Sequence, residues 1–201
     1  LLDILLRDAL FDRRSLRRYH ADVPSEEVIS ALVSAAMWAP SAHNRQPWRF
    51  AIVRQTSHKI ALANAMGARL RSDLTRDGVP VEAIEADASR SYARLTEAPV
   101  LIVLCLTMAD MDAYMDPVRS GHEHTMAVQS VAMAGQNLLL AAHGYGLGAC
   151  WMCAPLFCPD VVSDTLNLPQ QWEPQGLITL GYPAQVREKD RKPLKEVVTW
   201  L

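Results

Sequence analysis

The sequence predicts an α+β domain, with a small mixed or antiparallel central sheet surrounded by helices. Three observations lead there. The run APVLIVLCLT (98–107) is apolar throughout and bounded by Pro99, the mark of a strand buried on both faces. Shorter strand-like segments stand at 48–54, 147–153 and 176–182, each near glycine or proline breakers. Between them lie longer stretches with helical spacing, which outnumber the strands. No repeat or low-complexity linker divides the 201 residues, so a single domain over 1–201 is expected.

Each element has a local cause. Residues 2–11 alternate leucines with Asp3, Arg7 and Asp8 as an amphipathic helix does, and a basic loop, 12–23, follows. Pro24 then opens a helix running to about Trp38, with Ser25, Glu26 and Glu27 favouring its first turn and Val28, Leu32, Ala35 and Ala36 on one face. Pro40 ends it, and the polar loop in APSAHNRQPWRF (39–50) leads into strand 48–54. Helices are predicted over 57–70 and 81–96, joined by a loop, RSDLTRDGVP (71–80), with Gly78 and Pro80 as breakers. Residues 108–121 read as irregular. The helix predicted over 122–143 is rich in Ala, Val, Met and Leu almost all round, which predicts burial on every side, in the centre or at a subunit interface. Glycines in GYGLGACWM (144–152) mark its end and the next strand; a helix over 159–167 stops before Pro169, and a tail, 183–201, closes the chain.

Charge and cysteine usage narrow the function. A formal net charge of -2 offers no global field for nucleic acid or an anionic membrane. No segment reaches the ~18–20 unbroken apolar residues of a membrane span; the longest candidate, 125–142, is broken by Gln129, Ser130, Gln136 and Asn137. Two basic clusters, RRSLRR (13–18) and REKDRK (187–192), are either solvated loop charges or two halves of one anion site. In CWMC (150–153), on a strand, Cys150 and Cys153 project to opposite faces, and no second Cys/His pair has zinc spacing. Neither a disulfide nor a metal is expected, and unpaired thiols, with Cys105 and Cys158, suit a reducing cytoplasm. The acidic DMDAYMD (110–116) lacks calcium-loop glycines and reads as a solvated loop.

RRSLRRY (13–19), APSAHNRQPWRF (39–50), GYGLGACWM (144–152) and GYPAQVREKDRKPLKEVV (181–198) occur in that order and together resemble the FMN-dependent nitroreductase family, from Phe11 onward. The resemblance implies a nitroreductase-like fold and an intertwined homodimer with active sites at the subunit interface. It implies FMN as cofactor, NAD(P)H as reductant and hydride transfer through flavin N5 in ping-pong order, with no catalytic side chain. Arg13, Arg14 and Ser15 match the phosphate-side positions, and Lys189 and Arg191 the second phosphate clamp. Planar arginine forks suit a phosphate. Arg17 matches the basic position at the pyrimidine edge, where reduction leaves negative charge. Pro40 and Ser41 match the segment that reaches the partner's flavin, with Asn44 and Gln46 bracing the loop; Ala42 departs from the second serine of many relatives. Trp151, Met152, Cys153 and Ala154 match the strand end against the isoalloxazine, where a backbone N–H at Cys153 or Ala154 bonds N5.

For the acceptor, RSDLTRDG (71–78), HEHTMAV (122–128) and NLPQQWEPQGLITLGYP (167–183) look like the C-terminal, nitroreductase-like domain of the F-420:gamma-glutamyl ligase. That likeness implies reduction of a deazaflavin (F-420) precursor, with Asp73 as a substrate contact, Arg71 and Ser72 nearby, and His124 on a helix N-terminus lining the acceptor pocket. The i, i+2 spacing of His122 and His124 points their rings apart, against a metal pair. The alternatives are a broad nitro and quinone reductase, a non-catalytic flavin or deazaflavin-binding module, and a flavin-destroying or dehalogenating relative whose pocket residues are not found in the sequence.

Overall fold

The computed structural model describes residues 6–186, 188 and 190–201. Lys189, expected in the second phosphate clamp, lies outside the described residues. Four strands, β1 (Trp48–Val53), β2 (Val100–Leu106), β3 (Gly148–Met152) and β4 (Glu173–Gly181), form one sheet in the order β1-β2-β4-β3. Every neighbouring pair in it is antiparallel. Around it pack α1 (Leu6–Asp12), α2 (Glu26–Met37), α3 (Thr56–Arg76), α4 (Val81–Thr96), α5 (Pro117–Gly144) and α6 (Pro159–Leu166). The α+β expectation is met.

β2 is the spine of the fold, and all seven of its residues are buried. Strand periodicity splits them between two cores. Val100, Ile102, Leu104 and Leu106 face α2 and α5, beside Leu32, Val131 and Leu138. Leu101, Val103 and Cys105 face the opposite side with Leu62 and Met66 of α3, Leu95 of α4 and Val162 of α6. Ser25 caps α2 by accepting from Val28 N–H at 3.4 Å.

Three expectations need correcting. Residues 71–76 are not loop: α3 continues to Arg76, because Met66, Leu70 and Leu74 keep the four-residue apolar spacing and Arg71 forks onto Glu85 of α4 at 2.7 and 2.9 Å. Only Asp77–Pro80 connects the helices, with Gly78 at φ 74. α5 starts at Pro117 rather than 122, since the Asp116 carboxylate accepts from Arg119 N–H at 2.9 Å and Pro117 occupies the first turn. His124 consequently sits two turns inside the helix, not at its N-terminus. Finally, α5 is not covered on every side within one chain, as a wholly central helix would be: Gln129, Ala132, Met133 and Gln136 form an exposed stripe, which the alternative placement at a subunit interface allows.

Candidate active site at the two edges of the sheet

The first basic cluster is laid along the free edge of β3. Ser15 bridges Ala149 in parallel, Leu16 N–H donates to Ala149 C=O at 3.1 Å, and Tyr19 bridges Pro183 just after β4. His20 N–H to Tyr182 C=O (2.9 Å) and Ala184 N–H to Arg18 C=O (3.0 Å) stitch the two segments further. The edge strand is thereby paired rather than left open. Gly148 permits this approach, since a Cβ there would stand 3.3 Å from both Leu16 and Pro183. The Tyr19 hydroxyl, bonded to Leu16 C=O at 2.5 Å and to the Thr179 hydroxyl at 2.7 Å, pins the segment to β4, and burial raises its pKa.

This edge holds cations whose hydrogen-bonding capacity is unused. Among the described residues, the buried side-chain nitrogens lacking a partner are Arg13 Nη1, Arg14 Nε and Gln185 Nε2. An unpaired buried donor is costly, and three near one sheet edge require an explanation. Burial, then the neighbouring charges of Arg191 and Arg14, lower the Arg13 pKa. The cluster near one terminus therefore meets an arginine from the other. Arg14 is partly committed, as its Nη1 donates to Phe11 C=O (2.5 Å) and Arg13 C=O (3.0 Å) at the end of α1. Beneath them lies the buried Cys150 thiol. Burial raises its pKa, against the pull of Arg17, Arg94 and Arg13 and a bond from the Ser15 hydroxyl. Gln185 and Arg94 were missed by the sequence reasoning. Gln185 falls inside a quoted motif but is uncharged, and Arg94 reads as an ordinary helix arginine.

β3 carries the chain from Ala149 beside Ser15 to Cys153, four residues or about 13 Å further on. Cys150 is buried within β3, whereas Cys153, expected on the strand, lies one residue past its end and is exposed; all four cysteines are free thiols. At the far end, the first bond of the turn Ala154–Phe157 is Leu156 N–H to Cys153 C=O at 3.0 Å, so the N–H groups of Cys153 and Ala154 precede it. The strand end is set by Trp151. Its indole lies in a slot between Gly135 of α5 and Gly176 of β4, where a Cβ would come within 2.2 and 2.4 Å of the ring. Its Nε1–H donates to Cys153 Sγ at 3.1 Å.

The loop before β1 lies at the other edge of the sheet. It is braced internally: Ser41 Oγ accepts from Gln46 N–H at 3.0 Å, and Ala42 N–H donates to Ser130 Oγ of α5 at 3.3 Å. Arg45 pairs with Asp112, and the Asp112 N–H is held by the buried Glu123 carboxylate at 3.1 Å. His43, Asn44 and Gln46 all have φ near +50°, an uncommon backbone for residues with side chains. Gln46 Nε2 donates to Asn44 C=O at 3.5 Å and to Asn44 Oδ1 at 3.4 Å, both long, so in bracing the loop the two serine hydroxyls carry more of its geometry. His124 is joined to Glu173 at 3.0 Å, and Gln175 Nε2 bonds the same carboxylate at 2.8 Å. Among the described residues no three His, Cys, Asp or Glu side chains gather as a metal site requires.

One chain thus assembles Arg13, Arg14, Ser15, Arg17 and Arg191 at the β3 edge, with Met152, Cys153 and Ala154 further along it. It leaves Pro40, Ser41, Asn44 and Gln46 at the opposite edge, three strand spacings or about 14 Å away. Arg71 is occupied by Glu85, Ser72 is exposed, and Asp73 faces a cavity that Ala154 also lines.

The described residues thus form an α+β domain in which partnerless buried side-chain nitrogens gather along one sheet edge. The comparisons make this specific. The nitroreductase family model matches residues 10–182, and the chain belongs to that family of oxidoreductases. It is 31% identical to an NADH dehydrogenase of Thermus thermophilus, covering 96% of this chain and 95% of the relative. It is also 31% identical to a 5,6-dimethylbenzimidazole synthase of Rhodospirillum rubrum, covering 96% and 88%. Among solved structures, a Desulfovibrio desulfuricans protein in complex with FMN aligns with a TM-score of 0.74 at 26% identity, over 99% of this chain and 98% of that one. No helix among the described residues is long and apolar enough to cross a membrane.

Proposed function

We propose that the protein is an FMN-dependent NAD(P)H oxidoreductase that works as a homodimer, with the net reaction NAD(P)H + H⁺ + acceptor → NAD(P)⁺ + reduced acceptor. The observation that carries this reading is the trio of partnerless buried donors, Arg13 Nη1, Arg14 Nε and Gln185 Nε2, crowded by the like charge of Arg191. Such a cluster fits a dianionic phosphate, which would bond the orphan donors and offset the repulsion. The run of about 13 Å along β3 from Ala149, beside Ser15, to Cys153 suits a ring joined to its phosphate by a short polyol chain. FMN, when bound, supplies a two-electron carrier between the nicotinamide and the acceptor.

Each residue's part follows from its place. Arg13, Arg14, Gln185 and Arg191 hold the phosphate, with Lys189 the remaining member of that clamp. Arg17 sets a positive charge beside the pyrimidine edge. The N–H groups at Cys153 and Ala154 orient N5, and Trp151, wedged between two glycines, keeps that strand end from shifting. Pro40 to Gln46 of a second copy close over the ring and exclude water, with the Ser41 hydroxyl, already an acceptor for Gln46, free to donate. The exposed Met37, Trp38, Leu10 and Phe11, the stripe on α5 and the exposed Val197, Trp200 and Leu201 support pairing of two copies.

The purified protein should be yellow, or take up added FMN, and bleach when mixed anaerobically with NADH or NADPH. Material that stays colourless with excess FMN would overturn the reading. The narrower role that the sequence resemblance implies, reduction of a deazaflavin precursor, draws on the place of Asp73 near Ala154, with the precursor's anionic tail lying outside the acidic rim there. Submicromolar binding of F-420 or its dehydro precursor, against weak binding of simple quinones, would support it. Turnover of any acceptor dismisses a purely binding role. Loss of flavin absorbance under dioxygen without an acceptor would instead place the chain with flavin-consuming relatives.

A further inference from the structure

A cavity of about 300 Å³ lies between α3, α4 and the turn after β3. Its walls are Met66, Leu70, Leu74, Ala154, Phe157 and Cys158. Leu70 and Leu74 are only partly buried and belong to neither core, so they are large apolar groups facing a space. That volume is at the small end of ligand pockets, enough for one or two fused rings. Two of its lining residues, Ala154 and Ser91, stand next to elements of the candidate active site. Ala154 belongs to the strand end that offers free N–H groups, and Ser91 lies one turn before Arg94 on the same face of α4.

The rim is acidic. Asp73 and Asp77 stand at the mouth with Arg69, but the Arg69 guanidinium is forked onto both oxygens of Asp160 at 2.6 and 3.3 Å. Asp73 has a long contact to the largely exposed Arg76, 3.4 Å. Three carboxylates, Asp73, Asp77 and Asp160, thus face two guanidiniums, Arg69 and Arg76, which leaves one negative charge at the entrance.

We propose that this cavity is the acceptor subsite, taking the flat apolar body of an organic electron acceptor whose outer edge is cationic or hydrogen-bond-donating, and selecting against anionic acceptors. The proposal rests on the flavin reading above, because only a reducing centre beside Ala154 makes an occupant of this cavity an acceptor. The apolar walls supply area, and the uncompensated carboxylate charge supplies the selection.

The test uses the FMN-loaded protein and three probes sharing one ring system: menadione, 1,2-naphthoquinone-4-sulfonate and a trimethylammonium-substituted naphthoquinone. Equilibrium binding to the oxidised protein is measured by titration calorimetry alongside KM. The sulfonate should bind at least tenfold more weakly than menadione, and the cation more tightly. Asp73→Asn combined with Asp77→Asn, both on the rim, should bring all three within about threefold. Leu70→Trp should weaken all three tenfold or more with the FMN Kd unchanged. Equal binding of the three probes by the wild-type protein overturns the proposal, as does a Leu70→Trp variant that binds them normally. Loss of FMN from Leu70→Trp also overturns it, since the cavity would then be the ring's own bed. A wild-type protein that takes no FMN is a different result, and defeats the flavin reading instead.

Discussion

The two edges of the sheet are built on opposite principles. Along β3, buried arginine and glutamine nitrogens have no partners and the guanidiniums of Arg13, Arg14 and Arg191 crowd one another. Before β1, the loop 40–46 satisfies itself through Ser41, Ser130 and the Arg45–Asp112 pair, and holds three residues in a left-handed backbone to do so. The first edge leaves buried donors unmet, while the second satisfies its own. An edge with unmet donors and an edge with a preformed rim, at opposite sides of one chain's sheet, are what the proposed site between two copies would require.

That contrast can be broken most sharply at the clamp. Replacing Arg13 and Arg191 together by alanine removes at least two charge-assisted bonds of about 1.5–3 kcal/mol each, so FMN affinity should fall by ~100-fold or more. Fluorescence titration of the apoprotein measures this, and full occupancy in the double variant would mean the phosphate lies elsewhere. Removal of FMN by itself should lower the melting temperature, since a ligand held a hundredfold above its Kd stabilises by about 2.7 kcal/mol.

The wedge behind β3 comes next. In a helix interior, alanine is worth about 1 kcal/mol over glycine. At Gly135, however, the added Cβ would lie 2.2 Å from the Trp151 ring. Overpacking of about 1–3 kcal/mol should win, so Gly135→Ala is expected to be net destabilising by calorimetry. Adding Trp151→Ala should cost less than the two single changes summed, and additive losses would show that the two residues do not touch.

At the β1 edge the effects should be smaller. Ser41→Ala leaves the Gln46 N–H without its acceptor, at about 1 kcal/mol, or roughly 2–4 °C in melting temperature. FMN binding should weaken far less than for the arginine pair. A loss as large as theirs would erase the distinction between the edges.

The last effect is nil at neutral pH and appears only in alkali. Burial, and then the Glu173 charge, push the Cys105 thiol up to about 12 from an ordinary 9.0. The folded state therefore keeps a proton that the unfolded chain releases. That contribution to stability is whole below about pH 9 and is lost as pH rises toward 12. Denaturant midpoints should fall across that interval, and Cys105→Ala should flatten the fall. Cys153, exposed at the strand end, should react first with an alkylating agent at pH 8, ahead of the buried Cys105, Cys150 and Cys158.

Much of this was legible in the amino-acid order. The run 98–107 announced a two-faced buried strand because seven successive apolar residues leave no polar face. The helix over 81–96 matched residue for residue, bounded by Pro80 and by the turn into the next strand. Errors fell where a breaker was overweighted or a cap overlooked: Gly78 ended α3 only after Arg76, and Asp116-Pro117 began α5 earlier than its apolar core suggested. Gln185 and Arg94 could not be found this way, because neither has a local pattern that separates it from a surface residue.

Sequence alone determined the strands, the existence of the longer helices, the Ser25 cap and the two basic clusters, since each depends on neighbours a few positions away. The strand order β1-β2-β4-β3, the meeting of Arg13 with Arg191, the slot that Gly135 and Gly176 leave for Trp151, and the separation of the 40–46 rim from the clamp were decided only by the tertiary structure. Those contacts join residues far apart in the chain, and the side-chain periodicity that marks a helix or strand carries no information about which elements will become neighbours.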